Sequence, residues 1–141
     1  MNSGAPRPPV QLLPILHAAH AAEAEVEAKL GAVGLSLAKL FCLKALVDAG
    51  DPLPLGQLAE RLSCVKSNIT QLVDRLESDG LVKRGTCPED RRAVRAMVTP
   101  IGRERHAAGV AAIRGVQGAL AGRLDATERD SLVRLLGALI G

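Results

Sequence analysis

The sequence predicts a mainly α fold of six helices with one small β-ribbon, the terminal helices standing apart from a central lobe. Three observations lead there. Apolar residues make up 48% of the 141, yet only Phe41 is aromatic, so the core has to be built from Leu, Val, Ile and Ala. That composition favours helix over a β-sandwich. Residues 57–99 read in order as helix, tight turn, helix, strand, charged loop and strand. Helix start and stop residues punctuate the rest of the chain. The length suits one domain with extended ends.

Taken in order, residues 1–9 hold Pro6, Pro8 and Pro9 and read as a flexible, non-helical arm. A first helix is expected from Val10 to about Leu30, starting near Pro14, with Leu12, Leu13, Leu16, His20 and Val26 loosely at helical spacing. It is Ala-rich and only weakly amphipathic, which suits packing against another subunit. Gly31 and Gly34 end it. Ser36 is a good N-cap for a second helix, Leu37 to Ala49, expected to bury Leu40, Phe41, Leu43, Ala45, Leu46 and Val47. Gly50-Asp51-Pro52 stops it, and Leu53 starts a very short strand.

Pro54 opens a third helix, Leu55 to Leu62. Ser63-Cys64-Val65 is a turn. A fourth helix runs from Lys66 to Ser78 with Ile69, Leu72, Val73 and Leu76 inward, and Gly80 is its left-handed stop. Leu81 to Gly85 is a strand, Cys87 to Arg92 a charged loop tip, and Ala93 to Val98 a returning strand by its alternation. Thr99-Pro100 begins a long helix reaching about Arg123, with Val110, Ile113, Val116 and Leu120 as its stripe. Its five glycines each cost about 1 kcal/mol against Ala, so close packing with a partner is expected. Asp125 and Glu128 form a capping box for a last helix with a Leu132, Leu135, Leu136, Leu139 and Ile140 stripe. The resulting organisation is an arm at 1–9, a dimerisation helix at 10–34, a lobe at 35–99 and dimerisation helices at 100–141.

Charge is uneven along this plan. Residues 1–60 carry four basic and six acidic side chains, net −2, whereas residues 61–105 carry ten basic and six acidic, net +4. A local positive patch is what a polyanion partner requires, although a solvated charged face looks the same by charge alone. The polar face of the fourth helix decides between them. Lys66, Ser67, Asn68, Thr70, Gln71 and Arg75 are donors and acceptors of the kind that read base edges in a major groove, clustered in the early turns where a recognition helix meets bases. The ribbon brings Arg91 and Arg92 to a loop tip, where a narrow minor groove takes a guanidinium, with Arg95 on the returning strand. Asp90 beside them is placed to hold one Arg by a bidentate pair. The fold is thus a winged helix-turn-helix, and its expected partner is double-stranded DNA.

The same residues resemble the MarR family of winged helix-turn-helix transcription regulators. The likeness covers about residues 35–105 and rests on LAERLSCVKSNITQLVDRLESDGLVKR at 58–84, and on a wing of Asp90, Arg92 and then Val98-Thr99. The resemblance implies a homodimer whose first, fifth and sixth helices interlock, each lobe reading half of a pseudo-palindrome. It implies that Lys66, Ser67, Asn68, Thr70 and Gln71 face the major groove, that Arg75 lies near the backbone, and that Arg92 enters the minor groove, oriented by Asp90. Repression relieved by a small-molecule effector is likewise an implication of the family. Val65 stands where the family often has Ser, and Gln71 where it has Arg. A winged-helix protein-interaction module that reads no DNA is the competing class.

Other chemistry finds little footing. Cys42, Cys64 and Cys87 are too scattered for a disulfide framework or a zinc motif, and an odd count fits the reducing cytoplasm. A redox-sensing regulator would use Cys64 or Cys87, at the turn and the wing, while Cys42 reads as a small buried apolar residue. His17, His20 and His106, even with Glu23 or Glu104, read as helix-surface or interface residues rather than metal ligands, and no cofactor is expected. No catalytic motif is present, so the chain is not expected to be an enzyme. No apolar run approaches the ~18 residues of a membrane span.

Overall fold

A computed structural model of the chain describes residues 6, 9–63 and 66–141, the side chains of residues 66 and 67 excepted. Cys64 and Val65 of the turn, and most of the N-terminal arm, lie outside the described residues. The elements are α1 (Leu12–Ala32), α2 (Leu37–Ala49), β1 (Leu53–Pro54), α3 (Leu55–Arg61), α4 (Lys66–Ser78), β2 (Val82–Thr86), β3 (Val94–Val98), α5 (Pro100–Ala121) and α6 (Ala126–Ile140).

Local capping explains most of these limits. The Ser36 hydroxyl accepts from the Lys39 N–H at 3.2 Å, and Thr99 accepts from the Gly102 N–H at 3.0 Å. Asp125 and Glu128 close a complete capping box. Helices α1 and α4 both end on a left-handed glycine, Gly34 at φ +73° and Gly80 at φ +76°. In each the two residues after the cap turn their N–H groups back onto the last helical turn, Leu35 onto Leu30 and Leu81 onto Leu76, both at 2.9 Å. This satisfies carbonyls that the helix end leaves open.

Helix α1 starts at Leu12, ahead of the expected Pro14. Pro14 is its third residue, within the first turn, where a missing N–H removes no helical bond. Gly31 does not stop α1; Gly34 does. Strand β2 is shifted one residue forward from the expected Leu81–Gly85, because Leu81 is used to close α4.

The three strands form one antiparallel sheet in the order β1-β3-β2, with Leu53 opposite Ala96 and Val82 opposite Val98. The core lies between this sheet and helices α2, α3 and α4. Leu43, Leu58, Ile69, Val73, Leu76, Leu81 and Ala96 are fully enclosed, and Leu30 brings α1 into the same cluster. Phe41 departs from expectation: it is 49% exposed. Leu40, Cys42, Leu43 and Leu46 already fill the inward face of α2, so Phe41 falls on its outer side.

Two of the α5 glycines are used within the chain. A Cβ at Gly102 would lie 2.1 Å from the Leu81 carbonyl oxygen, and one at Gly109 would lie 2.7 Å from Leu40 Cδ1. Gly115 and Gly118 have nothing within 4 Å of that position. Helix α6 buries none of its residues, and Leu135 and Leu139 are half exposed. The start of α1 is similarly bare, with Leu13 80% exposed.

Candidate nucleic-acid interface

Helix α4 presents two distinct faces. Ile69, Val73 and Leu76 are wholly buried against the lobe, while Asn68, Thr70, Gln71, Asp74 and Arg75 are exposed. Lys66 and Ser67 begin the helix, and their side chains lie outside the described residues. Helix α3 packs on the buried face through Leu58 and Ala59. The exposed face combines amide, hydroxyl, carboxylate and guanidinium groups.

The wing is the β2–β3 hairpin. Its loop is closed by the Cys87 N–H donating to the Ala93 carbonyl at 3.1 Å and the Ala93 N–H donating to Asp90 at 3.0 Å. Arg91 and Arg92 project from the tip into solvent. The expected bidentate pair between Asp90 and a neighbouring arginine is not formed. Asp90 Oδ1 instead accepts from the backbone N–H of Arg92 at 3.0 Å. A side chain as short as Asp reaches the amide two residues on more readily than a guanidinium extended away from the loop. Asp90 therefore shapes the turn and leaves the Arg92 guanidinium outward.

Arg95 differs from the other candidates. It is half-buried and one terminal nitrogen donates to Cys87 Sγ at 2.9 Å. Cys87 is a buried free thiol. The backbone N–H of Glu89 holds its pKa below the usual thiol value, with the Arg95 guanidinium and the Asp90 N–H helping, against burial, which pushes it up. Cys42 is fully buried, as its apolar reading requires. Among the described residues no group of three His, Cys, Asp or Glu side chains is arranged to hold a metal.

Sequence reasoning missed Arg84. It lies on β2 opposite the enclosed Ala96, so it points inward under α4. There it donates to the Thr70 carbonyl at 3.2 Å and pairs with the Asp74 carboxylate, while its own N–H donates to Glu77 Oε2 at 2.8 Å. The signal was available: once Val82, Arg84 and Thr86 are read as the alternate residues of one strand face, an Arg on the inward side demands a partner.

These parts define a winged helix-turn-helix lobe with an exposed polar face on α4 and a wing tip that exposes Arg91 and Arg92. The MarR family model matches residues 35–94. The uncharacterized HTH-type transcriptional regulator YkoM of Bacillus subtilis is 36% identical over 64 residues, 45% of this chain and 42% of its own length. The HTH-type transcriptional repressor YetL of the same organism is 34% identical over 107 residues, 75% of this chain and 64% of its own. The chain thus spans less than two thirds of the length of these curated relatives. Among solved structures, the transcriptional repressor CouR bound to a 23-mer DNA duplex has a TM-score of 0.80 and 25% identity, covering 91% of this chain and 90% of that one. Over this lobe, residues 35–94, the chain is similar to the MarR family. The family and these relatives are transcription regulators rather than enzymes.

Proposed function

We propose that the chain is a sequence-specific binder of double-stranded DNA that regulates transcription, as a homodimer on a pseudo-palindromic site. The observation that carries this reading is the uncovered polar face of α4, from Asn68 to Arg75, beside a wing tip whose Arg91 and Arg92 are exposed. Lys66, Ser67, Asn68, Thr70 and Gln71 meet base edges, Arg75 the backbone, and Arg92 the minor groove. The DNA-bound state of CouR and the naming of YetL as a repressor support the same role and its repressing sign.

The homodimer accounts for the bare apolar surfaces at the start of α1 and along α6, which a single copy leaves in water. No single helix among the described residues is long and apolar enough to cross a membrane, and the site of action in this reading is the cytoplasm. Relief by a small effector is part of the reading. A cavity of about 380 Å³ between α2 and α3, lined by Phe41, Lys44, Asp48 and Arg61 among others, is a candidate seat for it.

Selection of duplexes from a random library by the full chain tests the function. A two-fold symmetric site, bound with an affinity that falls steeply with salt through counterion release, is expected. Arg92→Ala is expected to weaken binding about tenfold, the scale of one well-placed guanidinium contact. Binding to no duplex, with neither salt dependence nor an Arg92 effect, would instead identify a protein-interaction module.

A further inference from the structure

We propose that Arg84 is the positioning residue of the reading head: from the root of the wing it orients α4 and cancels the negative charge of Asp74, while its main chain holds Glu77 further along the same stripe. This rests on the DNA-binding reading above. Arg84 engages three positions of α4, at Thr70, Asp74 and Glu77. Their spacing of four and three residues makes them one longitudinal stripe of a helix.

Two consequences follow from the chemistry of that grip. The first is geometric. The apolar contacts of Ile69, Val73 and Leu76 seat α4 on the lobe, but apolar packing is non-directional and resists rotation about the helix axis weakly. A guanidinium donating to a main-chain carbonyl in mid-helix is directional, and it is anchored in a paired strand. It sets the rotation at which Thr70 and Gln71 are presented.

The second consequence is electrostatic. Asp74 is exposed and lies one turn beyond Thr70 on the same stripe. An unpaired carboxylate there would face phosphates and repel them. Paired with Arg84, it contributes no net charge. Carbonyl and carboxylate are both reached by one terminal nitrogen, Nη2, held at the end of a rigid guanidinium plane; lysine would supply the charge on a flexible stem without that fixed plane.

The test uses the full chain, the duplex it enriches from a random library and a scrambled duplex of the same composition, with affinities followed across a salt series. Asp74→Asn is expected to tighten binding to the scrambled duplex about threefold and to steepen the salt slope, since the Arg84 charge is then left uncancelled toward the phosphates. Arg84→Ala is expected to weaken both duplexes and to lower selectivity for the enriched one about tenfold, the coupling typical of one hydrogen-bonded network. Arg84→Lys restores scrambled-duplex binding but not selectivity. Should Arg84→Ala not fold, Asp74→Asn and Arg84→Lys carry the test alone.

Unchanged scrambled-duplex binding in Asp74→Asn, together with full recovery of selectivity in Arg84→Lys, overturns the proposal while the DNA reading stands. If the wild-type chain enriches no duplex at all, the DNA reading fails and takes the proposal with it.

Discussion

Asp90 holds the main chain of Arg92 rather than its charge: Oδ1 accepts from the Arg92 N–H at 3.0 Å, and the guanidinium points outward from the tip. The wing is therefore shaped by an acceptor, not by an ion pair. Asp90→Asn keeps an acceptor in place and is expected to bind the selected duplex as the wild type does. Asp90→Ala loses the turn bond and is expected to bind about fivefold more weakly, roughly the 1 kcal/mol of one hydrogen bond. Anisotropy titrations decide it, and an Asn variant as weak as the Ala variant contradicts the acceptor role.

Thr99 joins three element ends. Its hydroxyl caps α5 at Gly102 and donates to the Gly80 carbonyl at 2.7 Å, while its N–H donates to Leu81 at 3.0 Å. Thr99→Val removes both hydroxyl bonds at nearly constant volume. A loss of about 2 kcal/mol in urea unfolding is expected, with Thr99→Ser recovering most of it. Equal stability of the Val variant would show the hydroxyl to be idle.

The α5 glycines should divide sharply on substitution. Gly102→Ala places a methyl against the Leu81 carbonyl, which is backbone and cannot step aside. A loss of about 3 kcal/mol or more is expected. Gly118→Ala meets open space within the chain and is expected to gain up to about 1 kcal/mol in lobe stability from helix propensity. Thermal melts of the two variants at one protein concentration provide the comparison.

In the homodimer reading, the α6 stripe separates assembly from lobe folding. Leu135→Glu combined with Leu139→Glu is expected to shift sedimentation to the monomer, because neither side chain is buried by its own chain. A sedimentation coefficient unmoved by this pair removes α6 from the interface.

The capping box gives α6 a pH dependence of defined sign. The Glu128 backbone N–H, above all, holds the Asp125 carboxyl below the usual aspartate range. A depressed folded pKa means that its stabilisation is present above the unfolded value, near 3.9, and is lost as pH falls through the folded one. Helicity measured from pH 7 to pH 2 should fall for the wild type in that lowest range. Asp125→Asn, which caps without ionising, is expected to lack this component. Identical acid profiles for the two proteins would refute the assignment.

Much of this architecture was legible in the chain itself, and for a local reason. Ser36, Gly50, Gly80, Thr99 and Asp125 act on amides within a few residues, so α2 and α4 fall at the expected positions. The uncovered face of α4 was equally readable, since Ile69, Val73 and Leu76 mark the opposite side. What was not legible depends on register and on neighbours distant in sequence. Phe41 looked buried by hydrophobicity alone, but the inner face of α2 was already full. Arg84 needed the β2–β3 pairing before its inward direction was visible, and Asp90 had two acceptor geometries open to it. Gly102 and Gly109 could be counted but not told apart from Gly115 and Gly118 until the clearance above each was known.

That clearance bears on how the chain is able to diverge. At Gly102 the obstruction is a main-chain carbonyl, which cannot step aside, and at Gly109 it is the side-chain ends of the enclosed Leu35 and Leu40, which have to shift before a larger residue fits. Gly115 and Gly118 carry no such internal veto, and only whatever covers them restrains them. The first half of α5 is thereby frozen by its own lobe, whereas the second half is free to drift in step with its neighbour, so that descendants of one ancestral chain can acquire private partners while keeping a common reading head.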